Sequence, residues 1–240
     1  MMAPLVIAPR FCGPSDSGNG GYTCGLVAAR LDRQAEITLR APPPLAAPMT
    51  VERTADGSVR VLHGRTLVAE GTSLPDSLEV QLPHPVPVGE ARAAGAKSWL
   101  RTHPDEHPFP SCFVCGPHRQ PGDGLRILPG PVTGRDLSAD LWYPDTSLAG
   151  PDGHLRPEFV WAALDCAGAI GAIGDGPGAP AYVLGRFSAR QTGPVKIGAP
   201  HVVAGWHLGQ EGRKLFAGSA LFTAVGQVAG LARATWIRLK

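Results

Sequence analysis

Residues 17–31 read SGNGGYTCGLVAARL, a glycine-rich turn running into an apolar stretch. The turn at 18–21 followed by the apolar run 22–31 predicts the entry of a buried helix of about three turns. Four segments rich in β-formers come next: AEITLRA (35–41), PMTVERT (48–54), SVRVLHG (58–64) and RTLVAEGTS (65–73). ADG at 55–57 and HGR at 63–65 are hairpin-turn signals between them. One helix followed by about four antiparallel strands is therefore the first unit of organisation.

The order returns further along. DLSADLWYP (136–144) alternates as a strand does, and RPEFVWAALDCAGAIGAIG (156–174) is a second apolar helix. GDGPGAPA is a loop, and four more strand-like segments follow at 182–192, 200–210, 214–226 and 228–239. The two halves share this order at a period of about 120–140 residues with little residue identity, which points to an internal duplication. Between them, residues 74–110 are rich in proline and charge and read as a connector with one short helix. The expected division is a first repeat over 1–75, a connector over 76–110 and a second repeat over 111–240, the last opening on SCFVCG as a short strand or turn.

Composition narrows the function classes. The 240 residues are 43% hydrophobic, enough for one large domain or two small ones. Net charge is +2 and charged residues are 18%, without a basic stripe interleaved with aromatics, so no nucleic-acid partner is expected. No apolar run approaches the roughly 20 residues of a membrane span. The opening MMAPLVIAPRFCG lacks the charge and long apolar core of a secretory signal, so a soluble cytoplasmic protein is expected. Five cysteines, an odd number, suit reduced thiols better than a disulfide framework.

One apolar helix wrapped by a long antiparallel sheet, twice in one chain, resembles the double-hotdog acyl-CoA thioesterases. The first half, from GGYTCGLVAARL through RTLVAEGT, is similar to their N-terminal repeat. The second half resembles single-hotdog thioesterases, which often open on CxxCGxxNPxGL and carry HGGxxxxxxD on the helix. Here Cys112-Phe-Val-Cys-Gly116 is followed by Pro121-Gly-Asp-Gly-Leu125, and the helix reads Arg156-Pro157-Glu158 and then Asp165 at the matching spacing. The resemblance implies an α+β tandem hotdog and a thioester hydrolase whose site is built across two repeats. The amides at one helix N-terminus then face the acid of the other helix. The first half keeps the glycines after Asn19, but the acid position nine residues on is Ala28; the second half keeps Asp165 and has lost the glycines. That leaves one composite site, with the mirror site at Ala28, Pro157 and Glu158 dead unless Glu158 has been recruited.

The chemistry follows from the residue types. Unpaired N–H groups at a helix start sit at the positive end of its dipole, and glycine lets a carbonyl approach them. Gly20, Gly21 and Tyr22 are thus expected to form an oxyanion hole, with Tyr22 touching substrate. Asp165 lies among Leu164, Cys166 and Ala167, where partial burial raises a carboxyl's pKa. It is expected to act as base on a water or to attack directly and form an anhydride. Asn19 or Ser17 would hydrogen-bond the carboxylate or the water. Arg186, Arg190 and Lys196 lie in a stretch with three cations and no acid, and are expected to meet the phosphates of coenzyme A. Coenzyme A enters as part of the substrate; no separate cofactor is expected.

Other motifs weigh less. The Gly18-x-Gly20 pair lacks the directly preceding strand of a dinucleotide fingerprint. Cys112-x-x-Cys115 could bind zinc or act in redox chemistry. A zinc site needs two more ligands, for which His107, His118, Cys12 and Cys24 are the candidates; with no second CxxC, two buried thiols and no metal are expected. His201 and His207 share a strand parity opposite to Trp206 and are assigned no role. The rival reading is a non-catalytic acyl-thioester-binding or accessory protein. A hotdog dehydratase or hydratase ranks last, because no DxNxxH occurs. Pairing of two such pseudo-dimers into a homodimer is open.

Overall fold

The computed structural model describes residues 2–31, 34–74, 78–174 and 176–240. The repeat boundary expected at 75–76 lies outside the described residues. Four α-helices are described: α1 (Gly20–Ala28), α2 (Val88–Ala96), α3 (Trp99–Thr102) and α4 (Pro157–Ile173). The strands are β1 (Ala35–Leu39), β2 (Thr50–Arg53), β3 (Val59–His63), β4 (Thr66–Ser73), β5 (Gly130–Pro131), β6 (Ser138–Trp142), β7 (Tyr182–Gln191), β8 (His201–Glu211), β9 (Lys214–Thr223) and β10 (Val228–Arg238). The expected order appears at both places: α1 then β1–β4, and α4 then β7–β10.

All ten strands form one antiparallel sheet in the order β2-β3-β4-β1-β7-β10-β9-β8-β6-β5. The halves join where Thr38 of β1 lies opposite Arg186 of β7 and Ala35 opposite Ala189. The turn glycines Gly57 (φ 85°) and Gly64 (φ 58°) adopt the left-handed conformation that hairpin turns require.

Each helix starts and stops for local reasons. Asn19 Oδ1 accepts the Tyr22 N–H at 2.8 Å, a side-chain N-cap for α1. Pro157 occupies the first turn of α4, where its missing N–H costs nothing. Gly174, at φ 87°, ends that helix in a conformation disfavoured for other residues.

Both helices pack on one face of the sheet and against each other, and glycines set how closely. A Cβ on Gly21 would lie 2.4 Å from Asp165 Cβ, and one on Gly25 would lie 2.7 Å from Glu158 Cα. The i, i+4 pair therefore forms a flat stripe on α1 against which α4 rests. α4 approaches the sheet the same way, since a Cβ on Gly205 of β8 would meet the Ala167 carbonyl at 1.8 Å. Phe159, Val160 and Leu164 of α4 are fully buried, each contributing about 1.5–3 kcal/mol.

The connector is more structured than its composition suggested. α2 buries Ala91 and Ala94 on the opposite sheet face, against Ala139, Val202, Ala204, Trp206 and Phe222. The parity of β8 explains this: Val203 and Gly205 face α4, while Val202, Ala204 and Trp206 face α2. SCFVCG forms a turn, and the short strand β5 was not anticipated.

Candidate active site

The site is built where the start of α1 crosses the middle of α4. Asp165 is 1% exposed. Its Oδ2 accepts the Gly21 N–H at 2.8 Å and the Asn19 Nδ2–H at 3.1 Å. Its Oδ1 is buried and has no hydrogen-bond partner among the described residues. Burial pushes the carboxyl up to about 7, the Gly21 amide opposing it. The acid of one half and the glycine entrance of the other, far apart in sequence, are thus in direct contact.

The amides at the α1 entrance are not equivalent. The Tyr22 N–H is taken by Asn19 Oδ1 and the Gly21 N–H by Asp165. The Gly20 N–H, at the first helical position, has no described partner and Gly20 borders the cavity. Of the three amides expected to form an oxyanion hole, only this one is open, because the other two hold the cap and the carboxylate.

A cavity of about 640 Å³ opens beside Asp165 and Asn19. Its walls include Leu100, Phe109, Ile170, Ile173, Leu184 and Ile237, drawn from α3, the connector, α4, β7 and β10. Arg40, Asp16, Glu106 and His107 also border it. Arg40 pairs with Glu70.

Four expected substrate contacts lie elsewhere. Tyr22 is buried in an aromatic cluster, stacked on Phe11 at 4.3 Å between ring centroids and on Phe159 at 5.5 Å. It does not line the cavity, because helical geometry turns it away from the Asp165 side. Arg186 lies on β7 next to β1, where its Nε reaches Thr38 Oγ1 at 3.2 Å and Glu36 at 3.6 Å. The acid its own stretch lacked comes from the paired strand. Arg190 and Lys196 are exposed and also lie outside the cavity lining. At the mirror position Glu158 faces Arg156 at 3.5 Å, and Pro157 offers no N–H.

Sequence reasoning missed the company of Asp165. Cys112, Cys115 and Cys166 are all buried, and their sulfurs lie within 4.8 Å of one another. Cys112 Sγ lies 3.8 Å from Cys166 Sγ, and the neighbouring Cys115 and Cys166 thiols hold its thiol well below its ordinary value, while their own are pushed up. The signal was present in part: Cys166 stands beside the acid, and one helical turn could not be linked to the distant CxxC without the fold. Among the described residues none of His107, His118, Cys12 and Cys24 joins these three.

No protein-family model matches the chain, and no curated protein sequence does. Solved structures do. A tesB protein from Mycobacterium avium subsp. paratuberculosis superposes with a TM-score of 0.62 at 12% identity, over 99% of this chain and 92% of that one. The acyl-CoA thioesterase II TesB2 of Mycobacterium marinum gives 0.60 at 13% identity, over 98% and 91%. Among the described residues no helix is long and apolar enough to cross a membrane. At such identities the likeness speaks for the fold: the long antiparallel sheet packed on its apolar helices is the hotdog fold of the TesB-type proteins.

Proposed function

We propose that the chain is an acyl-thioester hydrolase, acting on acyl-CoA or another acyl thioester at the crossing of α1 and α4. The carrying observation is the 2.8 Å contact between the Gly21 N–H and Asp165 Oδ2 beside an apolar cavity. The repeated order of elements, one apolar helix followed by four antiparallel strands at both places, supports an internal duplication with one working half-site.

In this reading Gly21 and Asn19 fix Oδ2, leaving Oδ1 as the base for a water. The water oxygen attacks the thioester carbon while its proton passes to Oδ1. The carbonyl oxygen takes up negative charge facing the Gly20 N–H and the positive end of α1. The intermediate then collapses, the C–S bond breaks, and the thiolate leaves with the proton returned from Asp165. The walls formed by Ile170, Ile173, Leu184 and Ile237 suit an apolar acyl group.

The test is a panel of acyl-CoAs with detection of free thiol. Hydrolysis is expected, and Asp165→Asn is expected to lower kcat by about 10²–10⁴, the worth of a general base. One observation favours a non-catalytic acyl-thioester binder: a single open amide is a sparse oxyanion hole. Saturable binding of acyl-CoA with no thiol release by the wild type would establish that reading and overturn hydrolysis.

A further inference from the structure

We propose that Cys112, Cys115 and Cys166 form a binding site for one thiophilic divalent cation of the zinc class, stitching the CxxC turn to α4 next to Asp165. This goes beyond the hydrolase reading and does not rest on it.

The spacing of the sulfurs carries the argument. A tetrahedral zinc ion with Zn–S bonds of about 2.3 Å holds its thiolates roughly 3.8 Å apart. Cys112 Sγ and Cys166 Sγ are 3.8 Å apart, and all three sulfurs fall within 4.8 Å of one another. The turn that presents the first two is fixed by backbone. Gly116 N–H donates to the Cys112 carbonyl at 2.8 Å, and a Cβ on Gly116 would lie 2.4 Å from that oxygen. The tight loop brings both sulfurs to the same side, and α4 supplies the third.

The surroundings suit a thiolate–metal centre. Asn19 Nδ2 lies 3.7 Å from Cys112 Sγ and 3.9 Å from Cys166 Sγ. N–H donors of this kind spread the charge of metal-bound sulfur. Three soft ligands select zinc, cadmium or cobalt over magnesium or calcium, which require oxygen. All three cysteines border the cavity, so solvent can supply the fourth ligand.

The probe is Co²⁺ added to the reduced, chelator-treated full chain. Expected is one cobalt per chain, with the thiolate-to-cobalt charge-transfer band and the visible bands of a tetrahedral centre, both abolished by one equivalent of Zn²⁺. Cys115→Ser and Cys166→Ser, each checked for folding by circular dichroism, should bind roughly tenfold more weakly or worse. Cys24→Ala, a buried thiol outside the cluster, should keep the spectrum. No charge-transfer band and no stoichiometric uptake by the reduced wild type overturns the site, whatever the variants do. So does loss of the spectrum in Cys24→Ala equal to that in a folded Cys166→Ser. Neither readout depends on thioester hydrolysis.

Discussion

Asn19 uses both ends of one amide: Oδ1 caps α1 at Tyr22 N and Nδ2 holds Asp165 Oδ2. The two roles are separable. Serine remains a good N-cap but is too short to reach the acid, while alanine loses both functions. Asn19→Ser and Asn19→Ala should therefore lower kcat alike, by roughly ten- to hundredfold for a hydrogen bond to a charged group. Asn19→Ala should be less stable than Asn19→Ser by about 1 kcal/mol. Acyl-CoA turnover and urea denaturation of both variants check this; equal stability would mean that the cap contributes nothing. At this scale the sequence singled out Asp165 and Asn19, which the fold brings into contact, because a carboxylate in an apolar helix demands a reason. Tyr22 and Arg186 lie outside the cavity lining and pack on Phe159 and Glu36, which come from elements whose pairing is not written locally.

The glycines of α1 work on the scale of the helix pair. Replacing glycine by alanine inside a helix ordinarily gains up to about 1 kcal/mol in propensity. At Gly25 the new methyl would meet Glu158 Cα at 2.7 Å and Trp161 Cβ at 3.0 Å. A backbone atom of a packed helix cannot step aside, so overpacking of about 1–3 kcal/mol should win. Gly25→Ala is expected to be destabilised, measured as a lower denaturation midpoint. Gly21→Ala should lose that stability and also activity, since its methyl would displace Asp165 itself. An unchanged midpoint for Gly25→Ala would show that the helices part without cost. The element order was readable from period and turn signals. The i, i+4 spacing of Gly21 and Gly25 carries no local sign of a helix contact, because only the partner helix shows what the two glycines make room for.

Across the whole molecule, the connector closes the sheet face that α1 and α4 leave bare, and Asp140 of β6 is its buried anchor. Oδ2 accepts from Arg101 of α3 at 2.7 Å and from the Leu128 N–H at 2.8 Å, and Oδ1 from the Leu141 N–H at 2.9 Å. Gly95 of α2 passes so close that a Cβ there would lie 2.0 Å from Oδ1. None of this was legible in a proline-rich segment, because an acid in the middle of one strand gives no sign of a guanidinium 39 residues earlier. Burial pushes the Asp140 carboxyl up to about 6 from 3.8, with Arg101 opposing. Between those values the unfolded chain has lost a proton that the folded chain keeps, so stability falls as pH rises through the window and levels off above it. The shift corresponds to about 2–3 kcal/mol. Asp140→Asn removes this titration. The stability of the wild type relative to Asp140→Asn should therefore shrink by about 2 kcal/mol between roughly pH 4 and pH 7 in urea denaturation. A difference that grows with pH would mean that Arg101 and the two amides outweigh desolvation, and that the connector is held by a stable ion pair rather than by a carboxyl buried at a cost.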